Sequence, residues 1–406
     1  SMATTPSDVL AVELLQKEMG VKSPLRVVPL FETLDDLTGA ADTVSRLLQV
    51  PWFRRKISKN HNCLEIMIGY SDSAKDAGLM MASWALYKAQ VEMQEACAKH
   101  GVALTLFHGR GGTVGRGGGP LHQGIVALPP GTVKGRMRVT EQGEAIQGKF
   151  GLQNIALRHF ELYITAMAEA TLKPQREPQP EWRALMDRMA GVSKEAYRKV
   201  VRGDPDFVDY FRAATPEREL SDLNIGSRPA RRGQGSGVES LRAIPWNFAW
   251  TQTRLLLAGW LGVGEGLRAG LEGPDREVLF TMATEWSYFR TFLSLVEMVM
   301  AKTEPIIHAH YVEELVPDEL LALSQRLTKQ LTDTRAALLE VLGEEELLLH
   351  NDVLKRAIRV RNPYVDPLNI LQADMLKLLR TEGGEELADA LKVTINGISA
   401  GMRNTG

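Results

Sequence analysis

The chain of 406 residues has only two cysteines, Cys63 and Cys97. They are too few for a disulfide framework and match no zinc spacing, which points to a reducing compartment. An excess of charge of one sign is also missing: 48 Lys and Arg against 50 Asp and Glu leave a net charge of −2. That balance argues against a nucleic-acid or anionic-membrane partner held by bulk charge, so any anion site must be local. No apolar run reaches the ~20 residues of a transmembrane helix, and the opening SMATTPSDVL has neither the basic nor the apolar part of a secretory leader. A cytoplasmic protein is expected. Aromatic residues are sparse at 6%, but 44% apolar content and 15 methionines suffice for a large, helix-rich interior.

Helical periodicity dominates at 7–20, 73–101, 160–172 and most of 246–403. Four apolar runs, at 25–32, 64–71, 102–109 and 241–246, read as strands. Helical material separates the first three, which implies a parallel sheet with crossover helices, and their nearly continuous apolar character implies cover on both faces. Residues 138–146 read as a hairpin and 174–182 as a connection. The cluster GSRPARRGQGSG, 226–237, is either a solvated or RNA-contacting segment or a lid before the fourth strand.

The stretch FHGRGGTVGRGGGP, 107–120, holds seven glycines with Arg110 and Arg116 directly behind an apolar run. It fits neither the dinucleotide fingerprint nor a Walker loop. Glycines let main-chain N–H groups approach a ligand and arginines fork onto an anion, so a closing anion loop is the functional reading and a flexible surface loop the plain one. In parallel sheets the working residues sit at strand ends. Those ends carry Glu32, then Ser71 to Lys75, then His108 to Arg110, then Arg242. Glu32 and Asp72 either hold Mg²⁺ or Mn²⁺ as hard oxygen donors or accept salt bridges from the arginines. Ser73 and Asp76 have capping-box spacing, which makes Asp76 a cap rather than a catalyst. His308 and His310 read as surface histidines, and Trp246 and Trp250 as core.

At these residues the chain closely resembles phosphoenolpyruvate carboxylase. The resemblance is carried by IMIGYSDSAKDAG, FHGRGGTVGRGGGP, VVPLFETLDDL, RVTEQGE, YFRAATPE, GSRPARR, LRAIPWNFAWTQTR, RNPYVDPLN and GMRNTG, which span the chain. It implies a helix-rich α/β protein of the (β/α)8 barrel type, of which this chain supplies the C-terminal part. Residues 1–256 are expected to carry barrel elements and catalytic loops, and 257–406 a helical region with an inhibitor site. The implied reaction joins phosphoenolpyruvate and bicarbonate into oxaloacetate and phosphate, a lyase step that fixes carbon for the tricarboxylic acid cycle. Carried over residue by residue, Glu32 and Asp72 hold Mg²⁺ or Mn²⁺ and Lys75 is the active-site lysine. Arg110, Arg228 and Arg242 meet phosphoenolpyruvate, Arg116 lies in the mobile loop and His108 assists. Met67 lines a CO₂ pocket or simply packs in the core. Lys302, Arg361, Asn404 and Arg116 form an allosteric site for aspartate or malate. The full-length enzyme is expected to be a homotetramer.

The chain departs from the family pattern in three places. No TAHPTE-like segment carries the family's histidine base, Arg231 replaces a lysine, and LAGWLG at 257–262 lacks a common proline. The isolated chain is therefore expected to be inactive or nearly so. The alternatives are a non-catalytic regulatory or assembly fragment that binds the dicarboxylate, and an arginine-loop RNA binder, which the near-neutral charge disfavours.

Overall fold

The segment CLEIMI makes a central strand because Leu64, Ile66 and Ile68 point to one face and are at most 2% exposed. In the computed structural model, which describes residues 2–109, 121–141, 143–220, 238 and 241–403, this strand is β2 (Cys63–Ile68). It lies between β1 (Leu30–Phe31) and β3 (Ala103–His108), and β4 (Arg138–Val139) follows β3. All three pairings are parallel, giving one sheet of order β1-β2-β3-β4 among the described residues. Leu30 pairs with Met67, Cys63 through Ile68 pair with Ala103 through His108, and Phe107 pairs with Arg138.

The chain divides into two compact units, 1–76 with 82–179 and 77–81 with 180–406. In chain order the sheet is accompanied by α1 (Pro6–Glu18), α2 (Leu34–Gln49), α3 (Pro51–Lys59), α4 (Ser71–Ala77), α5 (Leu79–Lys99), α6 (Leu121–Val126), α7 (Gly143–Phe150) and α8 (Gln153–Leu172). Leu37, Ala40 and Val44 of α2, Phe53 of α3 and Met93 of α5 cover the face that β2 presents through Ile66 and Ile68. The second unit is helical, with α9 (Pro180–Val201), α10 (Phe207–Ala214), α11 (Glu217–Leu220), α12 (Ala243–Gln252), α13 (Val263–Leu271) and α14 (Arg276–Glu285). It continues through α15 (Ser287–Lys302), α16 (Pro305–Leu315), α17 (Leu321–Leu342), α18 (Asp352–Glu382) and α19 (Glu385–Met402). No described helix is long and apolar enough to cross a membrane.

Several sequence expectations change. LRAIPW starts a helix rather than a strand: Arg242 is the extended cap of α12, and Pro245 falls in its first turn, where no intrahelical donor is needed. Residues 138–146 form a short parallel strand followed by α7, not a hairpin. The helix expected over 73–101 is two helices, interrupted at Gly78, whose φ of +79° suits glycine. Ser73 lies inside α4 and donates to the carbonyls of Gly69 and Tyr70, so it is not the cap. His308 is no surface residue; it is 3% exposed and its Nε2 meets the Tyr210 hydroxyl at 3.0 Å. Trp246 and Trp250 are core, packed edge to face against each other and among Phe207, Phe211 and Tyr210.

The other face of β2 carries Glu65, a buried carboxylate. Its Oε1 accepts from Arg138 at 2.8 Å and its Oε2 from Arg26, while both arginines remain about half-exposed. Arg138 also lies over the Phe107 ring at 4.4 Å. Two cations thus reach in from the flanking segments to neutralise one charge that the sheet has removed from water. Replacing both Arg26 and Arg138 by alanine is expected to cost about 3 kcal/mol or more at neutral pH, because the carboxylate is left buried and unpaired. Adding Glu65→Gln to that double variant should recover part of the loss in urea unfolding; no recovery would show that the arginines act by packing alone.

Candidate functional site

Parallel pairing brings the ends of β1, β2 and β3 side by side. Glu32 directly follows β1 and is 6% exposed; its Oε1 accepts the Met2 N–H at 2.9 Å. The next residue, Thr33, caps α2 by accepting the Asp36 N–H, and Asp36 in turn accepts the Thr33 N–H at 3.1 Å. This capping box turns the chain sharply behind Glu32. Across from it, a Cβ on Gly69 would stand 2.5 Å from the Glu32 Cβ, so only glycine lets β2 end this close to the carboxylate.

Asp72 lies in the first turn of α4 and Lys75 three residues on, so the two share one face of that short helix. Both are partly buried. Beside them β3 ends in His108, which is 1% exposed and whose Nδ1 meets the Tyr70 hydroxyl at 2.5 Å. Its Nε2 is buried with no hydrogen-bond partner among the described residues. Burial pulls the imidazole down to about 4, so at neutral pH it exchanges hydrogen bonds but adds no positive charge. Met67 sits on the opposite face from His108, and its Cε lies 2.9 Å from where a Gly109 Cβ would be. Arg242 belongs to the second unit, with its Nε buried and without a partner among the described residues. Arg110, Arg116, Arg228 and Asn404 lie outside the described residues.

A metal is testable against this donor set. Mg²⁺ and Mn²⁺ take one or two carboxylates and complete their shell with water and substrate oxygens. Glu32 and Asp72 fit that pattern. Among the described residues no group of three or more His, Cys, Asp and Glu side chains could hold an ion by itself.

A second polar centre surrounds the end of α19. Lys302, the last residue of α15, is 5% exposed and donates to the Met402 carbonyl at 3.2 Å. Arg361 of α18 donates to the Gly401 carbonyl at 2.8 Å and to the Ala357 carbonyl at 2.6 Å. Cations at a helix C-terminus answer its exposed carbonyls. They also crowd one another: burial first, then Arg361, Arg403 and Arg254, pull the Lys302 amine down to about 8. Such a cluster suits an anion. Sequence reasoning missed Arg254, Arg403 and Tyr70. Tyr70 lies inside the strand-to-helix motif itself, but its pairing with His108 requires the β2–β3 register.

The chain is thus a helix-rich α/β protein with Glu32, Asp72, Lys75 and His108 at or just beyond the ends of neighbouring parallel strands, the edge at which open α/β sheets bind ligands. The family model for phosphoenolpyruvate carboxylase matches residues 1–406. The enzyme of that name from Chromohalobacter salexigens is 54% identical over 411 residues, those from Stutzerimonas stutzeri and Shewanella loihica 53% and 51%, and each comparison covers the whole chain. The chain belongs to the phosphoenolpyruvate carboxylase family. It spans 46% of the length of these relatives.

The His108 geometry sets a pH dependence. Its folded-state pKa lies below the unfolded value near 6.5, so the unfolded chain binds the extra proton first and stability falls as pH drops from about 6.5 to about 4. The imidazole's share of that loss is about 3 kcal/mol. Denaturant unfolding of the chain and of His108→Asn at pH 7, 5.5 and 4 should show the stability difference between them shrinking with acid; a difference independent of pH would contradict the buried neutral ring.

Proposed function

We propose that the chain carries the metal and phosphate end of a phosphoenolpyruvate carboxylase, in which bicarbonate and phosphoenolpyruvate give oxaloacetate and phosphate. The observation that supports this reading is the sequence position of Glu32, Asp72, Lys75 and His108 at or just beyond the ends of three neighbouring parallel strands, within a family match over residues 1–406. The expected setting is a (β/α)8 barrel to which the four-stranded sheet contributes, in a cytoplasmic homotetramer.

Glu32 and Asp72 would hold Mg²⁺ or Mn²⁺, which when bound supplies positive charge to the oxygens of the phosphate ester. Lys75, one turn from Asp72, offers an ammonium group to the phosphoryl oxygens. Arg242 has a buried Nε that lacks an acceptor among the described residues, which supports its part as a substrate contact. Arg110, Arg116 and Arg228, which lie outside the described residues, are proposed as further contacts to the phosphate ester. His108, neutral at working pH, supplies a hydrogen bond rather than charge. Met67 beside Gly109 forms an apolar patch suited to CO₂. Lys302 and Arg361, with Asn404 and Arg116, are proposed to take aspartate or malate; a loop arginine held by that dicarboxylate is withdrawn from the substrate.

The isolated chain is expected to form oxaloacetate at a negligible rate, because the TAHPTE-like segment to which the resemblance assigns the histidine base does not occur among its 406 residues. Activity should appear when the remaining length of a relative is supplied; full activity of the chain alone would overturn this reading. Mn²⁺ binding followed by electron paramagnetic resonance should weaken about tenfold or more in Asp72→Asn and in Glu32→Gln, since each removes a charged oxygen ligand. Unchanged Mn²⁺ affinity in both variants would remove these residues from the metal site.

A further inference from the structure

Arg254 has no role in the reading above, yet its surroundings are unusual. It follows α12 with φ +59°, in the left-handed region that costs a residue other than glycine about 1 kcal/mol. It is 1% exposed. Its main-chain carbonyl accepts the Glu304 N–H at 3.0 Å, just beyond α15. Its guanidinium then donates in three directions: Nε to the Lys302 carbonyl at 3.2 Å, Nη2 to Asn362 Oδ1 at 3.2 Å, and Nη1 to Asp366 Oδ1 at 2.5 Å. One side chain therefore ties the end of α15 to the middle of α18. Lys302 stands on the first of these helices and Arg361 on the second.

The segment of α18 that Arg254 grips also needs an outside tie. Pro363 and Pro367 lie within the helix, and each removes a backbone donor there. Asn362 and Asp366 directly precede them. The Asp366 carboxylate answers the charge of Arg254, which leaves Arg254 as a strut rather than as a further anion ligand. Below it a buried polar network continues the link. Asn369 of α18 donates to the Gln252 carbonyl at 2.6 Å, and Gln252 Nε2 donates to Ser399 of α19 at 2.9 Å. Such a buried network rigidifies the packing of these helices, although Asn369 Oδ1 has no partner among the described residues.

We propose that Arg254 is a positioning residue that sets the spacing between the Lys302 and Arg361 cations, so that together they take a dicarboxylate of one length. This rests on the reading of Lys302 and Arg361 as a dicarboxylate site. Two carboxylates joined by a short carbon chain meet two cations only at matched separation, whereas loose cations accept acids of several lengths. The strut thus governs selectivity as well as affinity. Lysine cannot replace it, because an ammonium lacks the planar fork that reaches three acceptors in different directions.

Calorimetric titration of the 406-residue chain with L-aspartate and with L-glutamate tests this, using wild type, Arg254→Lys and Asn362→Ala. Wild type is expected to prefer aspartate over glutamate by about fivefold or more, and Arg254→Lys to lose about tenfold for aspartate while the preference falls toward unity. Asn362→Ala removes one of the three acceptors and should shift both quantities the same way by less; it decides the matter if Arg254→Lys gives no cooperative thermal melt. Unaltered aspartate affinity in the folded variant, equal weakening toward both acids, or a wild type without preference overturns the positioning role alone. No aspartate binding by wild type overturns the dicarboxylate site itself, and the strut with it.

Discussion

The pairing of β2 with β3 governs the arrangement at the strand ends. Their register, from Cys63 opposite Ala103 to Ile68 opposite His108, turns Leu64, Ile66 and Ile68 toward the helices and Glu65 and Met67 away. A slip by one residue would exchange those faces. Taking three fully buried aliphatic side chains out of the core forfeits about 5 to 9 kcal/mol, much of a domain's net margin. Glu32 directly follows β1, Asp72 lies in the first turn beyond β2, and His108 closes β3. The apolar burial that protects the register therefore also determines which polar groups become neighbours.

The two polar centres handle charge differently. At the strand ends, acidic and basic groups face a rim shaped by absent side chains: Gly69 gives way to Glu32, and Gly109 to Met67. At the end of α19, cations from α15 and α18 meet main-chain carbonyls and lower one another's proton affinity. We propose the first arrangement for a dication and a phosphate ester and the second for a carboxylate. Both draw their precision from segments that leave regular geometry next to the functional side chain, a capping box at Thr33 and a left-handed residue at Arg254.

The long helices and the three main strands were legible because burial periodicity is written into neighbouring residues, and the motifs carrying Glu32, Asp72, Lys75 and His108 lie where those strands end. Local pattern failed where one apolar run suits two structures. LRAIPW looks like a strand, but Pro245 is tolerated in a helix's first turn, and Arg242 as cap leaves its carbonyl to the Trp246 N–H. RVTEQGEAI looks like a hairpin, but Arg138 and Val139 find a parallel partner in β3. His308 looked exposed because nothing near it in the chain announces Tyr210, about a hundred positions away.

Composition, periodicity and motif spacing by themselves determined the helix-rich α/β class, the near-zero net charge and the residue types at the strand ends. These properties depend on residues close together in the chain. Tertiary structure alone decided that Glu65 draws in Arg26 and Arg138, that Tyr70 meets His108, and that Arg254 joins Lys302 to Asn362 and Asp366. Those contacts join side chains far apart in sequence, and their partners are selected by which buried charge or donor would otherwise go unanswered.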